Sequence, residues 1–282
     1  MKIDLRFTSI PKKEITLDKI KNLSSDVLTK RIHFASTHKN ALKRVEEKEY
    51  HGKIILPFED SINPFLVKEI NAPLFKSKYG NEYYRQIHSE REYTGFERFI
   101  DKYKDIVFLR DHLDISIALS MNLDENNERT ELGELEYQAK YNGDKKAESS
   151  LLSLCQKKLE DLPFYKQADF VCAMPCSSRG ERNLPRRIAD NIDGLQNISD
   201  YAYWESKEKK LKDAEYVESK LEILEESKLI IDRKLDGKAV FLLDDLYMSG
   251  ISMQYVAMKL KEAGAKWVFG LCLVKSRNNT TR

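Results

Sequence analysis

No apolar run in the 282-residue sequence is long enough to span a bilayer, which takes about 20 residues, so no membrane helix is expected. The opening Met1-Lys-Ile-Asp-Leu-Arg carries no signal-peptide apolar stretch, and a cytoplasmic protein is expected. Cysteine is scarce: Cys155, Cys172, Cys176 and Cys272 are the 4 present, with none before position 155. Scattered in mostly apolar segments, they read as buried reduced thiols. Only Cys172 and Cys176 are close, and without a second pair they do not make a structural zinc site. Charge of either sign is nearly balanced, with a net of +2, so bulk charge gives no reason to expect a nucleic-acid partner. What is present is a hydrophobic content of 41%, which supports a core, and a charged content of 33%, which supports a solvated surface. The length suits one large domain or a domain with a sizeable extension.

One stretch organises the rest: Lys238-Ala-Val-Phe-Leu-Leu-Asp-Asp-Leu-Tyr-Met-Ser-Gly-Ile-Ser252. Ala239 to Leu243 is an apolar run too short for a helix and rich in strand formers, so it reads as a buried parallel strand. Asp244 and Asp245 follow where that strand should end. A short loop with Ser249 and Gly250 comes next, and Ser252 lies where a helix N-cap would fall. Met253, Val256, Ala257 and Leu260 then recur at helical spacing, Gly264 reads as the helix stop, and Trp267 to Val274 is a second apolar strand. Free backbone N–H groups at a helix start favour a phosphate. Gly250 lets the backbone approach closely, Ser249 and Ser252 offer hydroxyl donors, and the two acids can accept hydrogen bonds from sugar hydroxyls. A phosphate cradle beside an acid pair, at the carboxyl end of a parallel strand, points to a phosphorylated sugar. The competing reading is an ordinary strand end with two solvated acids.

This stretch resembles the phosphoribosyl diphosphate (PRPP) motif of type I phosphoribosyltransferases, matching at Asp244, Asp245, Leu246, Ser249, Gly250 and Ser252. Met248 departs from it, because the family usually has Thr there. The resemblance implies an α/β fold with a Rossmann-like parallel sheet and flanking helices. It implies Asp244 and Asp245 at the ribose hydroxyls, and Leu246, Tyr247, Met248, Ser249, Gly250, Ile251 and Ser252 around the 5′-phosphate. It also implies Mg²⁺, held through PRPP and not by direct protein ligands. Lys140-Tyr-Asn-Gly-Asp144, Met174-Pro175 with Arg179-Gly180 and Asn183, and Gly237-Lys238 before the strand are similar in order to the ComF-like branch of that family. The likeness covers about residue 115 onward and is strongest over 237–252. The four-cysteine zinc module with which ComF-like proteins often begin has no counterpart here.

Upstream, Phe170-Val-Cys-Ala-Met174 reads as a strand ended by Pro175, and then a polar loop runs from Cys176 to Arg182. Ser177, Ser178, Arg179 and Arg182 offer hydroxyls and guanidinium forks suited to a diphosphate; a solvated basic loop is the plainer reading. In the family a loop at this place holds the pyrophosphate half of PRPP, which assigns that role to Cys176, Ser177, Ser178 and Arg179. The charged interval 199–238 reads as largely helical, and the family has a mobile flap there; Lys207, Lys209, Lys210 and Lys212 could add charge over the substrate. Helices are expected at about Glu131 to Lys140 and Lys146 to Leu162, Ile106 to Leu109 reads as a strand, and Ile115 to Leu123 is another apolar stretch.

The first 110 residues are divided off as an α+β extension, with residues 111–282 as the transferase-like domain. Ile15 to Thr37 reads as mainly helical, Lys53 to Pro57 as a short strand, and Ile62 to Ala72 as a helix closed by Pro73. Phe75 to Tyr103 interleaves tyrosines with Lys and Arg. That mix could stack on bases and hold phosphates, but its interspersed acids favour one or two solvated amphipathic helices. Two functions are expected to compete. One is transfer of phosphoribosyl between PRPP and a nucleobase with pyrophosphate exchange, the work of a glycosyltransferase of nucleotide metabolism. The other is a non-catalytic PRPP sensor or ComF-like DNA-handling protein whose residues 1–110 bind nucleic acid or another protein. A homodimer is compatible with both.

Overall fold

The computed structural model describes residues 6–47, 50–176, 182–206, 211 and 214–277. In chain order the elements are α1 (Leu17–Ser25), β1 (Arg31–His33), β2 (Leu42–Glu47), β3 (Tyr50–Leu56), α2 (Asn63–Ile70), β4 (Phe75–Lys76), β5 (Tyr83–Ile87), α3 (Glu90–Lys102), β6 (Val107–Leu109) and β7 (Ile115–Met121). Then come α4 (Glu131–Tyr141), α5 (Lys145–Asp161), β8 (Phe170–Ala173), α6 (Leu184–Ala189), β9 (Gln196–Asn197), β10 (Ala202–Trp204), α7 (Val217–Glu226), β11 (Leu229–Ile231), β12 (Ala239–Tyr247), α8 (Ile251–Glu262) and β13 (Trp267–Lys275).

The central sheet runs β1-β6-β7-β13-β12-β8-β9. Its five strands from β7 to β9 are parallel, and β1 and β6 extend it by antiparallel pairing. β12 is flanked by β13 on one side and β8 on the other, with Leu242 opposite both Gly270 and Cys172. Such a central parallel strand is covered on both faces, which is why its sequence is continuously apolar. Val240, Phe241, Leu242 and Leu243 are each fully buried, and each such side chain contributes roughly 1.5–3 kcal/mol of burial free energy. Two apolar layers result. One contains side chains of α4, α5 and α6 together with those of α2, α3 and β3. The other contains those of α1, α7 and α8. The fold is therefore mixed α/β with a largely parallel sheet between helices.

The chosen boundary at residue 110 falls between β6 and β7, which pair within one sheet. Phe7 packs at 5.0 Å on Phe269, and Phe65 packs edge-on against Phe164 at 5.7 Å. β2, β3, β5 and β4 form a separate four-stranded sheet.

Several expectations for the first half need correction. The helix expected from Ile15 to Thr37 ends at Ser25. The Asp26 carboxylate accepts the Leu28 amide, and Val27 points fully into solvent, so the apolar stripe stops at Leu23. Arg31–His33 then becomes an edge strand on β6. Only the second half of Phe75–Tyr103 is helical, as α3; the first half forms β4 and β5, where Tyr83 and Tyr84 pair across to Lys76 and Phe75. Two of its basic groups are met by acids, Arg85 on Glu92 at 2.7 Å and Lys102 on Glu69 at 2.8 Å. Among its described residues the charged interval 199–238 holds one α-helix, α7, beside a two-stranded sheet of β10 and β11. Lys207, Lys209, Lys210 and Lys212 lie outside the described residues. No helix among the described residues is long and apolar enough to cross a membrane.

Candidate functional site

The loop between β12 and α8 sits at the carboxyl edge of the parallel sheet. Two details differ from the sequence expectation. The strand does not end at Asp244: it stays paired through Leu246 with Val274 and Tyr247 with Lys275. The helix N-cap is not Ser252 but Gly250, and Ser252 is already in the first turn. Helices α1, α3, α4, α5 and α6 start on Thr16, Ser89, Thr130, Asp144 and Asn183, whose side chains accept first-turn amides. Gly250 has no side chain to do so; α8, like α2 and α7, begins without a side-chain cap, and a helix start of this kind offers its first-turn amides to another acceptor.

Gly250 is required for two physical reasons. Its φ of 77° lies in the left-handed region, which L-residues enter at a cost. A Cβ there would also meet the Tyr247 hydroxyl at 2.0 Å. That hydroxyl, tucked under the turn, donates to the Asp111 carboxylate at 3.0 Å. Asp111 is fully buried, and burial pushes its pKa up to about 6 despite the Tyr247 and Leu113 donors. Met248 projects outward, 41% exposed, while Ser249 and Ser252 are half-buried. Ile251 is buried in the core below.

Because strand side chains alternate, Asp244 and Asp245 leave β12 on opposite faces. Asp245 is buried on the α4 side and pairs with Lys140 at 2.9 Å. Lys140 also lies 3.5 Å from Glu136, a second buried carboxylate one turn earlier on α4. Burial opposes the Lys140 charge, but Asp245 and Glu136 outweigh it and hold its pKa above the ordinary lysine value. Burial raises the Glu136 pKa in turn. Asp244 is half-buried, and one of its oxygens accepts the Asp245 amide at 2.9 Å.

On the β8 side, Cys176 is described and its neighbours Ser177, Ser178 and Arg179 lie outside the described residues. The Cys176 sulfur accepts the Asn183 amide at 3.4 Å, and Asn183 donates back to the Met174 carbonyl at 3.2 Å, which ties the loop's two ends together. Arg182 pairs with Asp190 at 3.4 Å. Trp204, on β10, donates to the Pro175 carbonyl at 3.4 Å and stacks on Tyr255 of α8 at 5.9 Å, bracing this loop against the helix. All four cysteines are free thiols, and Cys176 alone is not buried. Among the described residues no group of three His, Cys, Asp or Glu side chains could enclose a metal ion.

On the β13 side lies a residue that the sequence did not single out. Lys275 ends β13 and is 4% exposed; its Nζ donates to the Met248 carbonyl at 3.0 Å and the Ser276 carbonyl at 2.7 Å. Burial, reinforced by Arg31 and Lys30, pushes its pKa down to about 7. A lysine closing an apolar strand ordinarily reads as the point where the chain reaches water, and nothing in the local pattern marks it as buried. Lys140 stood within the Lys140-Tyr-Asn-Gly-Asp144 stretch, but its pairing across to β12 carries no sequence signal.

No protein-family model matches the chain, and no curated protein matches it. Among solved structures, phosphoribosylpyrophosphate synthetase from Mycobacterium smegmatis is similar over 43% of this chain and 33% of its own, at 17% identity and a TM-score of 0.27. The chain thus spans about a third of that protein's length, and a likeness this distant decides neither fold nor activity.

Proposed function

We propose that the chain binds PRPP with Mg²⁺ and transfers phosphoribosyl between PRPP and a nucleobase, as a type I phosphoribosyltransferase-like protein. The observation that carries this reading is the β12–α8 turn. It presents an acid pair, a left-handed glycine and the start of a 12-residue helix without a side-chain cap, in that order, at the carboxyl edge of a parallel sheet. The first-turn amides of α8 and the Ser249 and Ser252 hydroxyls would receive the 5′-phosphate. Asp244 and Asp245 would accept hydrogen bonds from ribose hydroxyls, with Lys140 holding the Asp245 carboxylate in place. The loop from Cys176 through Arg179 would receive the diphosphate.

The reaction breaks the bond from ribose C1 to a diphosphate oxygen and forms a bond from C1 to a base nitrogen, whose proton is released. Positive charge builds on the ribose ring and negative charge on the departing diphosphate. A site that fixes the sugar and neutralises the leaving group therefore lowers the barrier. The oxygen donors of Asp244 and Asp245 suit a hydrated Mg²⁺ carried largely by the substrate. When bound, that ion supplies neutralising charge to the diphosphate.

Titration calorimetry of the full chain with PRPP, with and without Mg²⁺, tests the reading. Magnesium-dependent binding at micromolar affinity, about −8 kcal/mol, is expected, and the double substitution Asp244→Asn with Asp245→Asn should abolish it. Unchanged binding in that variant would sink the site. A second reading, a PRPP-binding regulator without turnover, is favoured by Met248, which puts a thioether where the resembling family has a hydroxyl. A screen of nucleobases for pyrophosphate release separates the two, because a sensor retains PRPP and releases none.

A further inference from the structure

Four cations converge beside the carboxyl end of β13, and none makes an ion pair with a carboxylate among the described residues. Lys30 donates to the Ser24 carbonyl at 2.8 Å, and Arg31 to the Arg277 carbonyl at 3.2 Å. Lys275 donates to the Met248 and Ser276 carbonyls, and Arg277 to the Asp124 carbonyl. They are close enough to act on one another: burial first, and then Arg277, lowers the pKa of Arg31, and burial first, and then Arg31 and Lys30, lowers that of Lys275. The neighbouring acids are committed elsewhere. The Asp26 carboxylate pairs with Arg110 at 3.0 Å, and the Asp124 carboxylate accepts the amides of Asn126 and Glu128 at 2.8 and 3.0 Å. Asp26 also acts on Lys30 without pairing with it directly; partly buried positive charge without a directly paired carboxylate is costly, and its natural complement is a bound anion. Arg31 and Arg277 are half-buried, and each guanidinium uses one of its N–H donors in these bonds. The remaining donors of each fork suit a planar oxyanion.

The place of the cluster in the sheet says which anion. The candidate 5′-phosphate cradle follows β12, and the candidate diphosphate loop follows β8, on one flank of β12. The cations follow β13, on the opposite flank, and touch the cradle through the Lys275 bond to Met248. Both phosphate positions of PRPP are thus assigned elsewhere, and the β13 flank is the one left for the acceptor. Resting on the transferase reading above, we infer that Lys30, Arg31, Lys275 and Arg277 form the acceptor subsite and that the acceptor is a carboxylate-bearing heteroaromatic base, not a neutral one.

Equilibrium binding of orotate and nicotinate, each set against its uncharged counterpart uracil or nicotinamide, tests this in the full chain with and without PRPP and Mg²⁺. The carboxylates should bind at least tenfold tighter than the uncharged pair. That preference should vanish in Arg31→Gln and in Arg277→Gln, whose half-exposed side chains can be shortened without opening the core, while PRPP affinity stays within twofold. PRPP binding without a carboxylate preference, or a preference that survives both substitutions, overturns the acceptor assignment alone. Loss of ribose 5-phosphate binding in Arg31→Gln would give the cluster to the sugar phosphate and overturn it too. Absence of PRPP binding by the unmodified chain overturns the transferase reading itself, so the two failures are told apart.

Discussion

Two lysines flank the β12 loop, Lys140 half-buried and Lys275 buried, and their surroundings drive them in opposite directions. Lys140, on α4, faces Asp245 at 2.9 Å and Glu136 at 3.5 Å, and its pKa is held above the ordinary value. Lys275, at the end of β13, faces two carbonyls and the charges of Arg31 and Lys30, and its pKa is pushed down to about 7. Residue type is the same and desolvation is the largest effect on each, although Lys140 keeps 29% of its side chain exposed and Lys275 is only 4% exposed, so partners decide the direction. Desolvation disfavours both ammonium groups, and only a carboxylate within a few ångströms reverses it. One flank of the loop is therefore internally neutralised, while the other carries positive charge that no carboxylate pairs directly among the described residues. A ligand that brings negative charge gains little on the first flank and has its complement on the second.

The sharpest way to break this contrast is to remove Lys140. Lys140→Met would leave Asp245 and Glu136 buried together without a counterion, and the Glu136 Oε1 atom already has no hydrogen-bond partner. Breaking a buried pair by removing one partner is strongly destabilising. A loss of about 3 kcal/mol in urea unfolding is expected, largely recovered when Asp245→Asn and Glu136→Gln are added. A loss below about 0.5 kcal/mol, the range of a surface pair, would show that the α4 flank is not a neutralised cluster at all. Gly250→Ala should cost somewhat less, about 2 kcal/mol. It forces an L-residue to a φ of 77°, and its Cβ displaces the Tyr247 hydroxyl from Asp111. Because Tyr247 underlies the turn shared by both flanks, PRPP binding should weaken along with stability. Unaltered binding would show that the turn adapts without the Tyr247–Asp111 bond.

Local pattern explains which parts of this architecture were readable. The β12-to-α8 stretch is legible because a continuous apolar run, two acids and a serine–glycine turn each have a local physical meaning. β8, α4 and α5 follow from similar periodicity. What misled was competition between local and distant partners. Ser252 has the chemistry of an N-cap, but the chain turns into the left-handed region at Gly250 and begins the helix two residues earlier. Arg31–His33 has no strand signature of its own and is recruited by pairing to β6. Tyr83 to Ile87 shows as many charges and aromatics as a solvated helix would, yet it is ordered by β3 and β4 on either side. The ionic asymmetry between the two flanks was not legible, because it depends on which side chains cross between elements distant in sequence. Lys140 meets Asp245 across 105 positions, and Arg31 meets Arg277 across 246.

The finest test of the contrast is Lys275→Met, whose effect should change sign with pH. Lys275 has a folded pKa near 7 against an ordinary value of 10.5. Between those values the unfolded chain binds a proton that the folded chain lacks, so this group makes stability rise with pH across that window. Below about pH 7 both states are protonated, and the penalty for burying the charge is at its full size and independent of pH. Replacing the lysine by methionine removes that penalty but leaves the Met248 and Ser276 carbonyls without their donor, a loss of about 1–2 kcal/mol. Near pH 7 the first effect should win, and the variant should be more stable than the parent by about 2–3 kcal/mol. Near pH 10 little of the penalty remains and the second should win, and the variant should be less stable by up to about 1 kcal/mol. Asp111 supplies an internal control. Its folded pKa, raised to about 6 from 3.8, makes stability fall as pH rises through that interval, with the opposite slope, and Lys275→Met should leave that slope unchanged. Urea unfolding of parent and variant from pH 4 to 10 would read both slopes, and curves that run parallel above pH 7 would mean that Lys275 keeps an ordinary charge and that the β13 flank holds no uncompensated cation there.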